Sequence, residues 1–295
     1  MNYELGGIGV VNPTPRNSDD TVNEEEYRRH ISWMADNGIR FLQPCAGMGQ
    51  YMEITREEYR RLLEISAEEI GDRVFITAYV AHPNPRQAIE MINIAEDVGA
   101  HAAFLMQPFF TKPDEEGVYL YFRAVAKETK LPLVLYNCPS RAGINMSVDL
   151  MDRITDEAPN FVGLKQTTFD EFPDAVRRLS GKFKVIPGAE DQMLFGFALG
   201  SPGVLTFAAN VIPDRLVAVQ AAWEAGDHEE AKAIWLECLP MFRIIHIEPV
   251  PNAVVYMLNR MGWKFGTQRI PAHEPSEEHK QKIDDVLRSL KLIGQ

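Results

Sequence analysis

Two residues in this sequence are suited to covalent chemistry on a carbonyl, and each closes an apolar run. In Phe161-Val-Gly-Leu-Lys165-Gln166 a lysine ends a segment short enough to be one buried strand. Burial there strips the charge of its solvation, which lowers the lysine pKa and leaves a neutral, nucleophilic amine. Twenty-nine residues earlier, Leu133-Val-Leu-Tyr136-Asn-Cys-Pro139 repeats the design with a phenol, and a proline stops the run. On its own, Lys165 also reads as a solvated strand end, and Tyr136 as a core tyrosine whose hydroxyl finds a backbone partner. Placed at the ends of two successive parallel strands, they would point into one mouth. The lysine would then be the nucleophile and the tyrosine the proton donor and acceptor.

The elements around them have to supply that placement. Ile8-Gly-Val-Val11 reads as a first strand, broken at Asn12-Pro-Thr-Pro15. Asn23 and Glu26 mark a helix start, Tyr27, Ile31, Met34 and Ala35 its apolar face, and Gly38 its stop. Ile39–Leu42 follows as the second strand. Thr55 with Glu58 forms a capping box for a helix that Gly71 closes, ahead of a third strand at Val74–Val80. Asn84-Pro85 opens the next helix, Gly99 ends it, and Ala102–Met106 is the fourth strand.

The unit then recurs, with strands at 133–136, 161–165, 183–186 and 203–207, and helices near 115–129, 147–157, 171–180 and 190–199. Strands that are apolar throughout, separated by helices at this spacing, predict parallel pairing with both faces buried. Eight such units predict an α/β fold, a (β/α)8 TIM barrel, whose chemistry sits where the strands end. A doubly wound sheet is the competing architecture, weakened by the lack of a glycine-rich phosphate turn after the first strand. We place the barrel in residues 1–224 and a C-terminal helical extension in 225–295. In the latter, Asp227 caps a helix interrupted by Pro240, and further helices are expected at about 251–261 and 276–290.

The chain has 295 residues, within reach of a barrel that runs to ~250 residues as one domain. With 45% hydrophobic and 24% charged residues it falls outside the disordered and membrane classes. Thirty basic residues against 42 acidic give a formal charge of −12, which argues against nucleic acid or an anionic membrane as partner. Met1-Asn-Tyr-Glu-Leu lacks a secretory signature, and no apolar run reaches the length of a membrane span, so a cytoplasmic address is expected. Cys45, Cys138 and Cys238 have no paired or zinc-binding spacing and are expected to be reduced thiols.

The residues also resemble a known family, the dihydrodipicolinate synthase and N-acetylneuraminate lyase superfamily of Schiff-base-forming 2-oxo acid lyases. The motifs that carry the resemblance span the chain: Val11-Asn-Pro13, Tyr136-Asn-Cys-Pro-Ser-Arg-Ala-Gly143, Gly163-Leu-Lys165, Gly188-Ala-Glu-Asp191, Ala209-Asn-Val211 and Glu248-Pro-Val-Pro251. The resemblance implies the same barrel, pyruvate or a substituted 2-oxo acid bound as an imine to Lys165, proton transfer by Tyr136, and no metal or organic cofactor. It also implies a homo-oligomer, a dimer or a tetramer built from dimers.

Around that pair the resemblance suggests further roles. Arg141, otherwise an ordinary surface arginine in a turn, would hold a second carboxylate or a distal polar group with its guanidinium fork. Ala46-Gly47-Met48-Gly49-Gln50 stands where the family usually has Gly-Thr-Thr-Gly-Glu. It reads either as a flexible turn or as a cradle whose Gly47 and Met48 amides grip the 2-oxo acid carboxylate. Phe110, Gly188 and Leu205 are further candidates for the substrate pocket. Pro108-Phe109-Phe110 replaces the Pro-Tyr-Tyr of the synthases, whose second tyrosine resembles a relay member donated across a dimer contact.

The threonine and second tyrosine are thus absent, and Gln50 replaces a glutamate. A synthase that closes a ring must move several protons to and from solvent, so these departures favour a lyase needing fewer transfers. The favoured expectation is an aldolase or dehydratase acting on pyruvate or a 3-deoxy 2-oxo acid, whose imine stores electrons as an enamine. Condensation of pyruvate with aspartate semialdehyde, as in a 4-hydroxy-tetrahydrodipicolinate synthase, is the alternative, with Arg141 its best support. A non-catalytic 2-oxo acid-binding relative is the third.

Overall fold

The structure is a computed structural model and describes residues 5–294. Residues 1–4 of the N-terminal stretch read above, and Gln295, lie outside them. Strands and helices alternate along the chain: β1 (Gly7–Val11), α1 (Glu24–Asp36), β2 (Phe41–Gln43), α2 (Arg56–Ile70), β3 (Phe75–Val80), α3 (Pro85–Asp97), β4 (Ala102–Met106) and α4 (Glu115–Glu128). Then come β5 (Leu133–Asn137), the single turn α5 (Pro139–Ala142), α6 (Val148–Glu157), β6 (Phe161–Gln166), α7 (Phe172–Leu179), β7 (Lys184–Pro187), α8 (Met193–Ala198) and β8 (Gly203–Thr206). The helices α9 (Pro213–Glu224), α10 (His228–Ile244), α11 (Asn252–Arg260) and α12 (Glu277–Ser289) complete it. The strands form one sheet in the order β7-β6-β5-β4-β3-β2-β1-β8, the succession of a (β/α)8 barrel. Among the described residues, no helix is long and apolar enough to cross a membrane.

Two compact units make up the chain, Met1–Gly6 with Phe75–Leu205, and Gly7–Val74 with Thr206–Gln295. In the first, every residue of β3, β4 and β5 is buried, which is why these strands are apolar without alternation. Their parallel register aligns Met106, Tyr136, Lys165 and Ile186 in one row across β4, β5, β6 and β7. Asn84, Asp114 and Ser147 cap α3, α4 and α6 through their side chains, fixing where each crossover helix begins.

In the second unit β1 pairs with β2, and α1 and α2 start at the residues the sequence marks. Asn23 accepts from the Glu26 amide, and the Thr55–Glu58 capping box forms in both directions, at 2.9 and 3.1 Å. Asp227 caps α10, which continues through Pro240. Differences from the sequence reading are local. The predicted helix over 190–199 divides into a 3-10 turn, Glu190–Gln192, and α8. The second strand is Phe41–Gln43: the Ile39 amide closes α1 on the Met34 carbonyl (3.2 Å), and the Arg40 amide makes the first bond to β1, on the Ile8 carbonyl (2.9 Å).

Candidate active site

Lys165 and Tyr136 are register partners on β6 and β5, and the lysine Nζ lies 4.3 Å from the centroid of the phenol ring. Both are buried, Lys165 with 4% of its surface exposed. Burial is the main reason the ammonium is disfavoured. The Arg141 charge adds to it, while Cys138 and Glu190 oppose it, and the Lys165 pKa settles at about 8. A minor but substantial share of the amine, about a fifth, is therefore neutral near physiological pH, against about a thousandth for an ordinary lysine. Burial also raises the Tyr136 phenol well above its usual range, reinforced by Cys138 and Tyr79, so the hydroxyl keeps its proton and can donate it. The Tyr79 ring meets Tyr136 edge-on at 6.0 Å, and its hydroxyl reaches the Met106 sulfur at 3.4 Å.

Gly188, at the end of β7, lies against the lysine stem. A Cβ there would come within 2.6 Å of Lys165 Cε and 2.7 Å of Thr167 Cγ2. Cys138 is buried at the start of α5, its sulfur 3.6 Å from the Ser140 hydroxyl. Burial pushes this thiol up, but the Tyr136 and Ser140 hydroxyls, the Lys165 charge and the Thr167 hydroxyl outweigh it and hold its pKa below the usual value. Leu205 is buried at the end of the same unit.

A chain of buried amides shapes the loop that follows β5. Gln107 donates to Asn137 Oδ1 (3.0 Å) and the Ile144 carbonyl (3.2 Å), and accepts from the Cys138 amide (3.3 Å). Asn137 donates to Gln166 (2.9 Å) and Asn145 (2.8 Å), and accepts from the Met146 amide (3.2 Å). Both ends of the loop are thereby tied to strand ends, with α5 between them. Arg141 stands exposed on α5, and among the described residues its guanidinium pairs with no carboxylate. Phe110 is 89% exposed, with its backbone at φ +70°.

Gly47 and Met48 belong to the other unit. They lie in the turn after β2, Gly47 half-buried and Met48 buried. The turn is closed by the Gln50 amide on the Gly47 carbonyl (3.3 Å) and the Tyr51 amide on the Ala46 carbonyl (3.2 Å). Among the described residues, neither the Gly47 nor the Met48 amide finds an acceptor, the arrangement an anion cradle requires.

The first unit thus brings together Lys165, Tyr136 and Gly188, with Arg141 on the adjoining turn. Cys138, Tyr79, Thr167 and the Gln107–Asn137–Gln166 amides were not singled out from sequence. Cys138 sits inside the Tyr-Asn-Cys-Pro motif, so its place beside Tyr136 was readable there; the amides carry no such signal.

Comparison with known proteins shows the family and the fold. The Dihydrodipicolinate synthetase family matches residues 4–290. The 4-hydroxy-tetrahydrodipicolinate synthase of Methanopyrus kandleri is 30% identical over 298 residues, covering 99% of each chain. That of Maridesulfovibrio salexigens is 31% identical over 296 residues, covering 99% of this chain and all of its own. The crystal structure of dihydrodipicolinate synthase from Aquifex aeolicus superposes with a TM-score of 0.94 at 29% identity, covering 98% of this chain and 99% of that one.

Proposed function

This chain belongs to the dihydrodipicolinate synthetase family and is a lyase of the class I aldolase kind, and we propose that it acts on pyruvate or a substituted or 3-deoxy 2-oxo acid through an imine at Lys165. The observation that carries the reading is the buried Lys165 amine, with a pKa of about 8, held over Tyr136. The neutral amine attacks the C2 carbonyl and passes one proton to its oxygen; Tyr136 gives that oxygen a second proton, so that it leaves as water and a protonated imine remains beside the tyrosinate. The iminium then accepts the electron pair released when the C3–C4 bond breaks, the tyrosinate taking the C4 hydroxyl proton, or when the tyrosinate removes a C3 proton, after which the C4 hydroxyl leaves as water with that proton. The resulting enamine or its conjugated imine is reprotonated and hydrolysed to free the lysine.

In this proposal the Gly47 and Met48 amides hold the C1 carboxylate, Gly188 leaves room for the lysine, and Leu205 closes the apolar side of the pocket. Arg141 meets the distal end of the substrate. The barrel occupies residues 1–224 and the helical extension 225–295. The working form is a homo-oligomer, with Phe110 directed to a second copy; sedimentation at several concentrations tests this.

Borohydride trapping with pyruvate, read by intact mass and peptide mapping, is the deciding experiment. An adduct at Lys165 is expected. Folded protein that gives no adduct with pyruvate or longer 2-oxo acids would overturn the reading and leave a non-catalytic binding relative, which Lys165→Ala protein could then confirm by binding 2-oxo acids undiminished.

A second reading, condensation of pyruvate with aspartate semialdehyde, has two supports: the names of the relatives, and the Arg141 guanidinium, which among the described residues pairs with no carboxylate. Aspartate semialdehyde accelerating pyruvate consumption would establish it. Cleavage or dehydration of a 3-deoxy 2-oxo sugar acid without such acceleration would establish the first.

A further inference from the structure

We infer that Gln50 is a positioning residue for carboxylate binding, holding the turn after β2 by a two-point clamp on the backbone of Arg269. The inference rests on the proposed role of the Gly47 and Met48 amides. Gln50 is 4% exposed; its Nε2 donates to the Arg269 carbonyl at 2.7 Å and its Oε1 accepts from the Arg269 amide at 3.0 Å. Only a side-chain amide of this length does both, since a carboxylate accepts but does not donate. The same residue closes the turn with its own amide on the Gly47 carbonyl, at a backbone φ of +57°. Whatever moves the Gln50 side chain therefore moves the cradle.

Residues 265–269 act as a strap across this turn. Besides the Gln50 clamp, Gln268 donates to the Thr14 carbonyl (3.0 Å), Thr14 donates to the Gly49 carbonyl (3.4 Å), and the Arg16 amide donates to the Phe265 carbonyl (3.0 Å). The strap is anchored in turn by the Arg269 guanidinium, all of whose five N–H donors are engaged. Nε meets the Asp20 carboxylate (2.7 Å), Nη1 the Glu53 carbonyl (2.7 Å) and Glu58 Oε2 (2.6 Å), and Nη2 the Asp20 carbonyl (3.2 Å) and Glu58 Oε1 (2.7 Å).

A carboxylate at position 50 would face the Arg269 carbonyl with nothing to donate, and that arginine has no free N–H left to neutralise it. Arg16 and Arg269 already balance Asp20 and Glu58. The assignment makes a segment 219 residues away in sequence a determinant of substrate binding.

The test uses the full chain with pyruvate as the probe, comparing wild type, Gln50→Glu and Gln50→Met. The half-saturating pyruvate concentration for trapping at Lys165 and the trapping rate at saturation are measured across pH, with circular dichroism as the check on folding. In Gln50→Glu the half-saturating concentration should rise about tenfold near pH 8, because a buried carbonyl loses its donor. The saturated rate should stay within about twofold, the signature of lost binding rather than lost chemistry. Expressed as a ratio to wild type, the defect should shrink toward about pH 5.5, where a protonated carboxyl again donates to the Arg269 carbonyl.

The charged groups around the clamp are Arg16, Asp20, Glu58 and Arg269, with Cys45, Tyr51 and Tyr59 the other titratable neighbours. Taking the ratio at each pH cancels their titration and that of Lys165. Gln50→Met, which keeps the volume and makes neither bond, should show the defect at every pH. Unchanged half-saturation in both variants, or a Gln50→Glu defect that ignores pH, would overturn the inference while leaving the imine reading intact. An absence of any adduct in wild type would overturn both.

Discussion

A Cβ placed on Gly188 would stand 2.6 Å from Lys165 Cε, closer than any real pair of such atoms. Two atoms have to yield: Lys165 Cε, the far end of the candidate nucleophile, and Thr167 Cγ2 at 2.7 Å, on a β-branched side chain whose hydroxyl donates to the Asn137 carbonyl. Gly188→Ala should therefore destabilise the protein by about 1–3 kcal/mol, the usual cost of overpacking. It should slow trapping at Lys165 by about 100-fold, because a misplacement of about 1 Å at a reacting atom has that effect. A single-turnover trapping series at saturating pyruvate checks this. A wild-type rate in the variant would mean that the lysine does not work from this rotamer.

The depressed pKa of Lys165 makes a second prediction, and its sign follows from which form burial penalises. The folded protein disfavours the ammonium, lowering the pKa from 10.5 to about 8. The cost to stability is thus fully present below about pH 8 and fades as pH rises toward 10.5. Lys165→Met should stabilise the protein by up to about 3 kcal/mol at pH 7, the free-energy equivalent of that shift. The gain should vanish above pH ~10. Wild-type trapping should rise with pH and reach half its maximum near 8. Urea titrations of both proteins at several pH values are the check, and equal stabilities at pH 7 would show that the amine is hydrated in the folded state.

These two predictions also mark what could be read from the chain alone. Lys165 and Tyr136 end apolar runs, and strand spacing puts such ends in one mouth, so their pairing was legible. So were the caps at Asn23, Thr55 and Asp227, because each bonds within a few residues of itself. Gly188 was only a candidate lining residue, since its role depends on the path of a side chain from another strand. The segment α5 was read as a turn and not as a helix because four residues carry no helical period. Gln107, Asn137 and Gln166 lie 30 and 29 residues apart and meet only through the strand register. Cys138 was read as an ordinary reduced thiol because its spacing from the other cysteines is neither paired nor zinc-binding, although its place in the Tyr-Asn-Cys-Pro motif put it near Tyr136.

His30 should set much of the acid limit of stability. It is fully buried among Trp33, Trp263 and Phe265, with Nε2 3.2 Å from the Asn210 carbonyl. Burial lowers its pKa from 6.5 to about 4. Between these values the unfolded chain binds the proton and the folded one does not, so stability falls as pH drops through this window, by up to about 3 kcal/mol. His30→Phe keeps a ring in the cage and removes the titration. It should lose about 1 kcal/mol at pH 7, for the contact to Asn210, and lose much less than wild type on acidification to pH ~4. Urea midpoints with the same pH slope in both proteins would show that another group sets the acid limit.

The buried amides give the last prediction, because they hold both ends of the loop that carries Arg141. Removing Gln107 by Gln107→Leu leaves the Cys138 amide and the Ile144 carbonyl without the partners they have now, and takes one donor from Asn137 Oδ1. Unsatisfied buried groups of this kind cost about 1–3 kcal/mol each when water does not replace the partner. The protein should be destabilised by about 2–4 kcal/mol, since loss is shared across a coupled network. Gln107→Glu keeps the acceptor for Cys138 but not the donors for Asn137 and Ile144, and should fall between. The functional consequence should be selective. Lys165 and Tyr136 sit on strands and keep their relation, so pyruvate trapping should be little affected, whereas a substrate whose distal carboxylate uses Arg141 should show a raised KM. Equal losses for pyruvate and for a dicarboxylic 2-oxo acid would mean that the loop positions the strand ends themselves, and not Arg141 alone.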